Sequence, residues 1–167
     1  TLSSSSAASD VYKRQFFPQL VAGPIERASH LLPQFLKNRK FDYKKASSGI
    51  KLIAWGFFKK VVIADNAAQL VNEIFENYPN ESYISLIIGT ILFAFQIYCD
   101  FSGYSDIAIG LGRILGFDLM YNFKFPYFSS NIREFWSRWH ISLSSWFRDY
   151  IYTVSYTHLR AHETRGN

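Results

Sequence analysis

Only one cysteine, Cys99, stands in the 167 residues, so no disulfide can form within the chain. No zinc-ligand set, hydrolase triad or Walker loop is written in it, so no bound metal or resident cofactor is expected. No internal repeat is visible. The opening TLSSSSAASDVYKRQ lacks the basic region and apolar stretch that a secretory signal needs. Long charge-free runs are also scarce, and a mean hydropathy of -0.04 taken alone argues against a membrane protein. By length the chain reads as one domain.

That average mixes unlike segments. Residues 1–15 and 153–167 are polar and carry no apolar periodicity, whereas residues 16–152 hold 29 of the 31 aromatics. The chemistry is therefore sought in 16–152. The chain starts at Thr1 rather than a methionine, and both polar ends resemble translated sequencing-adapter read-through. The expectation is an internal fragment with non-native extensions at 1–15 and 153–167, which would make His158 and His162 irrelevant.

Within the middle, FFPQLVAGPIERASHLLPQF (16–35) is apolar but broken by Pro18, Gly23, Pro24 and Pro33, and reads as short helical or re-entrant pieces. Glu26 and Arg27, just after the Gly-Pro break, would either pair to close a turn or line a substrate path. LKNRKFDYKK places five Lys/Arg between Lys37 and Lys45. Beside apolar spans such a loop reads as cytoplasmic, and otherwise as a solvated linker. Residues 46–78 follow a long helical pattern, with Lys59 and Lys60 expected to snorkel toward the membrane interface.

The clearest span is SYISLIIGTILFAFQIYC, eighteen residues (82–99) without a charge. A bilayer needs about 17–25 apolar residues, so this is a short spanning helix or a buried core helix. DFSGYSDIAIGLGRILGF (100–117) continues the apolar pattern around Asp100, Asp106 and Arg113. A carboxylate inside such a span usually faces the bundle interior or a wet cavity. For Asp100 and Asp106 the preferred reading is a hydrogen bond locking helices together, with Gly103, Ser105, Ala108, Gly110 and Gly112 permitting close approach. GLGRILG is not a nucleotide loop, because its third glycine comes one residue late for G-x-G-x-x-G. Cys99 reads as a small core residue.

Next comes NIREFWSRWHISLSSWFRDYIY (131–152). Asn131 with Glu134 makes a capping-box-like start, and Glu134 with Arg138 an i,i+4 pair. One continuous helix would put Arg133, Trp136, His140, Leu143 and Phe147 on one side. His140 could accept a proton from an attacking hydroxyl, with Trp and Arg neighbours keeping the ring neutral. It could equally be an interfacial histidine bound to a carbonyl. The basic cluster is not read as a nucleic-acid surface, because its aromatics sit in apolar spans.

Taken together, FFPQLVAGPIER, YCDFSGYSDIAIGLGRILGFDL and NFKFPYFSSNIREFWSRWHISLSSWFRDYIY resemble the membrane-bound O-acyltransferase family. The likeness covers 16–152, and its wording is nearest the alginate O-acetylating branch, related to the D-alanyl transfer protein of teichoic acid synthesis. The resemblance implies an all-α, multi-helical integral membrane protein, multi-pass in the bacterial cytoplasmic membrane. It implies transfer of an acyl group, an acetyl in this branch, from a thioester donor (acetyl-CoA or an acyl carrier) to a polysaccharide hydroxyl. His140 becomes the expected catalytic residue, with Trp136, Arg138, Trp139 and Asp100 as substrate-binding candidates. The implied partners are membrane lipids, the acyl donor and periplasmic acyltransferase or export proteins. A transport or scaffold subunit, passing acyl groups or protons along Asp100 and Asp106, is the competing reading. Family members carry a second histidine roughly fifty residues beyond the first, so this stretch alone is expected to be inactive.

Overall fold

The computed structural model describes residues 23–152; the expectations for residues 1–22 and 153–167, including His158 and His162, lie outside them. The described residues are helical and contain no strand. They divide into two compact units.

The first unit holds residues 28–119. It begins with α1 (Ala28–Leu36), which carries Pro33 within it. Asp42 then caps α2 (Tyr43–Phe57), accepting from the amides of Lys44 at 2.9 Å and Lys45 at 3.2 Å. This satisfies donors that the first turn leaves without helical partners. The helix runs without a break through a widened π-helical stretch, Phe58–Ala64, into α3 (Asp65–Glu76). The long helix expected over 46–78 is therefore present, but with a π insertion. After the short turn Tyr78–Asn80, Ser82 caps α4 (Tyr83–Ile114). At 32 residues α4 is about 48 Å long, enough to cross a bilayer. Among the described residues it is the one helix long and apolar enough to do so. Ile84, Ile87, Ile91, Phe93 and Phe95 along its first half are exposed, as a lipid-facing helix requires.

Two glycine pairs fasten α2 to α4. A Cβ on Gly56 would stand 2.6 Å from the Gly103 carbonyl oxygen, and one on Gly49 would stand 2.6 Å from that of Gly110. Both pairs are seven residues apart on their own helices, so they repeat after two turns of an antiparallel contact. Gly103 and Gly110 thus do what the sequence implied. Gly112 does not join them; its neighbour is Leu119, at 2.8 Å. Leu31, Ile109, Phe117 and Leu119 form the buried core, with Phe35 and Leu52 packed on it.

The second unit holds residues 24–27 with the chain from 120 onward. It contains a short turn at Pro126–Phe128, then α5 (Ile132–Arg138), α6 (Ile141–Phe147) and a last π-helical turn, Arg148–Tyr152. The single helix expected from residue 131 is two, because the chain breaks at Trp139 and His140.

Candidate active site

Asn131 starts α5 as its residue type demands. Its side chain accepts from the Glu134 amide at 2.9 Å. Glu134 turns back to Ser130, accepting from its amide and hydroxyl at 2.8 Å each, and pairs with Arg138 at 2.5 Å. The two Ser130 bonds, followed by the Arg138 cation, hold the Glu134 carboxyl below the usual range. Arg138 also reaches toward the carbonyls of Phe125 and Phe128, so its guanidinium ties α5 to the preceding turn.

The break follows. Trp139 is extended (φ -98°, ψ 125°). His140 is left-handed (φ 45°, ψ 55°), a region that costs a side chain with a Cβ about 1–2 kcal/mol. Segment 122–124 splints both sides of the break: the Lys124 amide donates to the Arg138 carbonyl at 3.0 Å, and the Ile141 amide to the Asn122 carbonyl at 2.8 Å. The His140 carbonyl then accepts from Ser144 to open α6.

A buried network anchors this splint. Ser142 and Asn122 are each about 1% exposed. The Ser142 hydroxyl donates to Asn122 Oδ1 at 2.5 Å and accepts from the Ile25 amide at 3.0 Å. Glu26, also buried, accepts from the Met120 amide, and Arg27 pairs with Asp149. Glu26 and Arg27, expected either to pair with each other or to line a path, each hold a distant part of this unit.

Trp139 packs into an aromatic cluster, stacked on Phe135 at 5.5 Å and edge-on to Phe123 at 5.0 Å. Trp136 stands edge-on to Phe135 and is mostly exposed. His140 is half-buried, and that burial pushes its pKa below the ordinary 6.5. Desolvation by burial thus favours the neutral ring, in the direction expected of its Trp and Arg neighbours. The break also removes the continuous stripe in which Arg133, Trp136, His140, Leu143 and Phe147 would have shared one face. Trp136, Arg138, Trp139 and His140 thus all lie in the second unit, on α5 and the break that ends it.

Asp100 lies in the first unit, on α4. Its carboxylate pairs with Lys60 at 2.6 Å, and Lys60 also pairs with Asp65 at 2.8 Å. One turn and a half further along α4, Asp106 pairs with Lys59 at 2.8 Å, and Lys59 donates to Ser102 at 2.9 Å. The expected locking of helices by Asp100 and Asp106 is present, as ion pairs. Lys59 does not snorkel: it is 8% exposed, because the π insertion turns it inward onto α4. Sequence reasoning missed the roles of Asn122 and Ser142 and misread that of Lys59, because their partners lie far away in the chain.

The sequence matches the membrane-bound O-acyltransferase profile over residues 14–163. This chain belongs to the membrane-bound O-acyltransferase family. It is 48% identical over 136 residues to a probable alginate O-acetylase of Pseudomonas putida, covering 81% of this chain and 28% of that protein. A peptidoglycan O-acetyltransferase of Helicobacter pylori is 43% identical over 139 residues, 82% of this chain and 26% of its own length. A teichoic acid D-alanyltransferase of Bacillus subtilis is 34% identical over 148 residues, 82% of this chain and 35% of its own length. The chain therefore spans between a quarter and about a third of the relatives it matches. These relatives are bacterial, and their names describe acyl transfer involving alginate, peptidoglycan and teichoic acid.

Proposed function

We propose that this chain is the central part of a multi-pass O-acyltransferase of the bacterial cytoplasmic membrane, with re-entrant or interfacial pieces beside its spanning helix. It transfers an acetyl group from a thioester donor, acetyl-CoA or an acyl carrier, to a hydroxyl of an envelope polysaccharide such as alginate. The observation that carries this reading is His140: a histidine held in a left-handed backbone, with a desolvated ring, beside an aromatic cluster. Backbone strain of this kind concentrates at functional sites.

In this reading the neutral imidazole takes the acceptor hydroxyl's proton as its oxygen attacks the thioester carbonyl. The C–O bond forms, the C–S bond breaks, and the imidazolium returns the proton to the departing thiolate. Trp136, Trp139 and Arg138 wall the path of the acyl chain or its carrier. Asp100, already oriented by Lys60, is a substrate-side candidate. Export or periplasmic transferase proteins of the same polymer are the natural partners. A carrier of acyl groups or protons along Asp100 and Asp106 is the less favoured reading, since Lys60 and Lys59 hold both carboxylates. The test is His140→Ala in the full-length protein, read as O-acetyl content of the polymer. Loss of acetylation with unchanged protein level is expected; a normally acetylated polymer would overturn the assignment.

A further inference from the structure

A cleft of about 600 Å³ opens in the first unit, between the end of α1, the loop that follows it, the start of α2 and the end of α4. Its wall carries Lys37, Arg39, Lys40, Lys45 and Arg113 against two acids, Asp42 and Asp118. Both acids are already engaged. Asp42 caps α2, and Asp118 pairs with Lys45 at 2.9 Å. Arg113 donates to the Ser48 hydroxyl at 2.7 Å. Lys37, Arg39 and Lys40 make no ion pair among the described residues, so the wall keeps an excess of positive charge.

Arg39 is not a loosely solvated side chain. Its guanidinium lies 4.0 Å from the centroid of the Phe117 ring. Its stem rests on Gly116, where an added Cβ would meet Arg39 Cδ at 3.2 Å. Gly116 is also the residue whose left-handed backbone (φ 81°) ends α4. The turn that closes α4 therefore builds the seat for an arginine that has no acid to neutralise. A fork of N–H donors backed by a ring, flanked by two lysines in a concave wall, matches the demands of a phosphate dianion.

We propose that this cleft binds a phosphate-bearing anion, either a soluble phosphate ester or the headgroup of an anionic lipid. The inference goes beyond the acyl-transfer reading and does not depend on His140. Two binding arms separate the sources. Inorganic pyrophosphate is titrated into the purified protein in zwitterionic detergent. Separately, retained phosphatidylglycerol is counted by native mass spectrometry after extraction from nanodiscs of phosphatidylcholine with and without phosphatidylglycerol.

In at least one arm, Lys37→Gln/Arg39→Gln/Lys40→Gln should weaken binding roughly tenfold or more, since each charge-assisted contact is strong. Lys44→Gln, whose side chain lies outside the cleft, should leave it unchanged. Arg39→Lys should fall between, keeping the charge and losing the fork. Circular dichroism checks that the helices persist. If the triple variant misfolds, the exposed pair Lys37→Gln/Lys40→Gln replaces it. Loss in the pyrophosphate arm assigns a soluble phosphate, and loss in the lipid arm a headgroup. The proposal is overturned if neither arm separates wild type from the variant, or if Lys44→Gln weakens binding as much.

Discussion

The Lys59 ammonium lies 2.8 Å from the Asp106 carboxylate, and together they bind the π-helical stretch to the second half of α4. Removing one partner of a buried pair leaves the other charge uncompensated, at a cost of about 3–5 kcal/mol. Lys59→Met is therefore expected to lower the midpoint of thermal unfolding in detergent sharply. Lys59→Met/Asp106→Leu should recover much of that loss, because no lone charge remains. A double variant as unstable as the single one would show that the pair does more than neutralise itself. Lys60→Met should cost far less, since its pairs are exposed and exposed pairs contribute about 0–1 kcal/mol.

The glycine contacts of α2 and α4 make a graded prediction. At Gly56 an added methyl meets the Gly103 carbonyl at 2.6 Å and the Ile107 side chain at 2.7 Å, so backbone must move. At Gly89 the nearest atom is the Ile74 methyl at 3.0 Å, which a side-chain shift can relieve. Gly56→Ala should destabilise by about 1–3 kcal/mol and Gly89→Ala by clearly less. Unfolding midpoints measured in one detergent decide it. Equal losses at both positions would mean that the α2–α4 approach is looser than its backbone distances.

His140 separates stability from activity. A glycine tolerates the left-handed backbone that the histidine occupies at a cost. His140→Gly should therefore leave thermal stability equal or raise it by about 1 kcal/mol, while polymer O-acetylation disappears. His140→Val, β-branched and stiff, should lose both. If His140→Gly unfolds the protein, the ring's packing outweighs its backbone strain.

The same residue sets a pH dependence. Burial depresses the His140 pKa, so the unfolded chain takes up a proton before the folded one as pH falls. That contribution to stability is full above the ordinary 6.5 and declines as pH drops through and below it. The neutral ring that the proposed chemistry needs should persist to a pH below 6.5. Glu134 acts lower down: its depressed pKa contributes stability above the ordinary 4.5, lost as pH falls through its folded value. Glu134→Gln should flatten the second decline and leave the first. Thermal midpoints across about pH 3 to pH 8 would show one decline or two.

Much of this was legible from local pattern. The charge-free run gave the first half of α4, and the Asn131–Glu134 spacing gave the start of α5, because a span and a cap are made by residues close in sequence. The glycines at 103 and 110 pointed to close packing before their partners at 56 and 49 were known. The break at His140 was not legible. Trp136 and His140 keep helical spacing, and neither Gly nor Pro interrupts 131–152. The chain is bent by hydrogen bonds from residues 122–124, and a one-dimensional period carries no trace of them. Lys59 misled for a similar reason. Near an apolar segment a lysine reads as snorkelling, and only the π insertion and an aspartate 47 positions later reverse that reading.

Ser142 offers the sharpest test of the splint. Its hydroxyl bonds two groups at once, the buried Asn122 Oδ1 and the part-buried Ile25 amide. Ser142→Ala removes both bonds and should cost about 1–3 kcal/mol. Ser142→Thr keeps the hydroxyl and should restore most of that, limited by room for one methyl. The Asn122 carbonyl holds the amide that follows His140, so a loosened splint should move the histidine as well. In the full-length protein Ser142→Ala is therefore expected to lower kcat for O-acetylation more than it raises KM, because the variant still binds its substrates while the base is misplaced. A loss confined to stability, with kcat per folded molecule unchanged, would make Ser142 a fastening of the fold and not a positioning residue for His140.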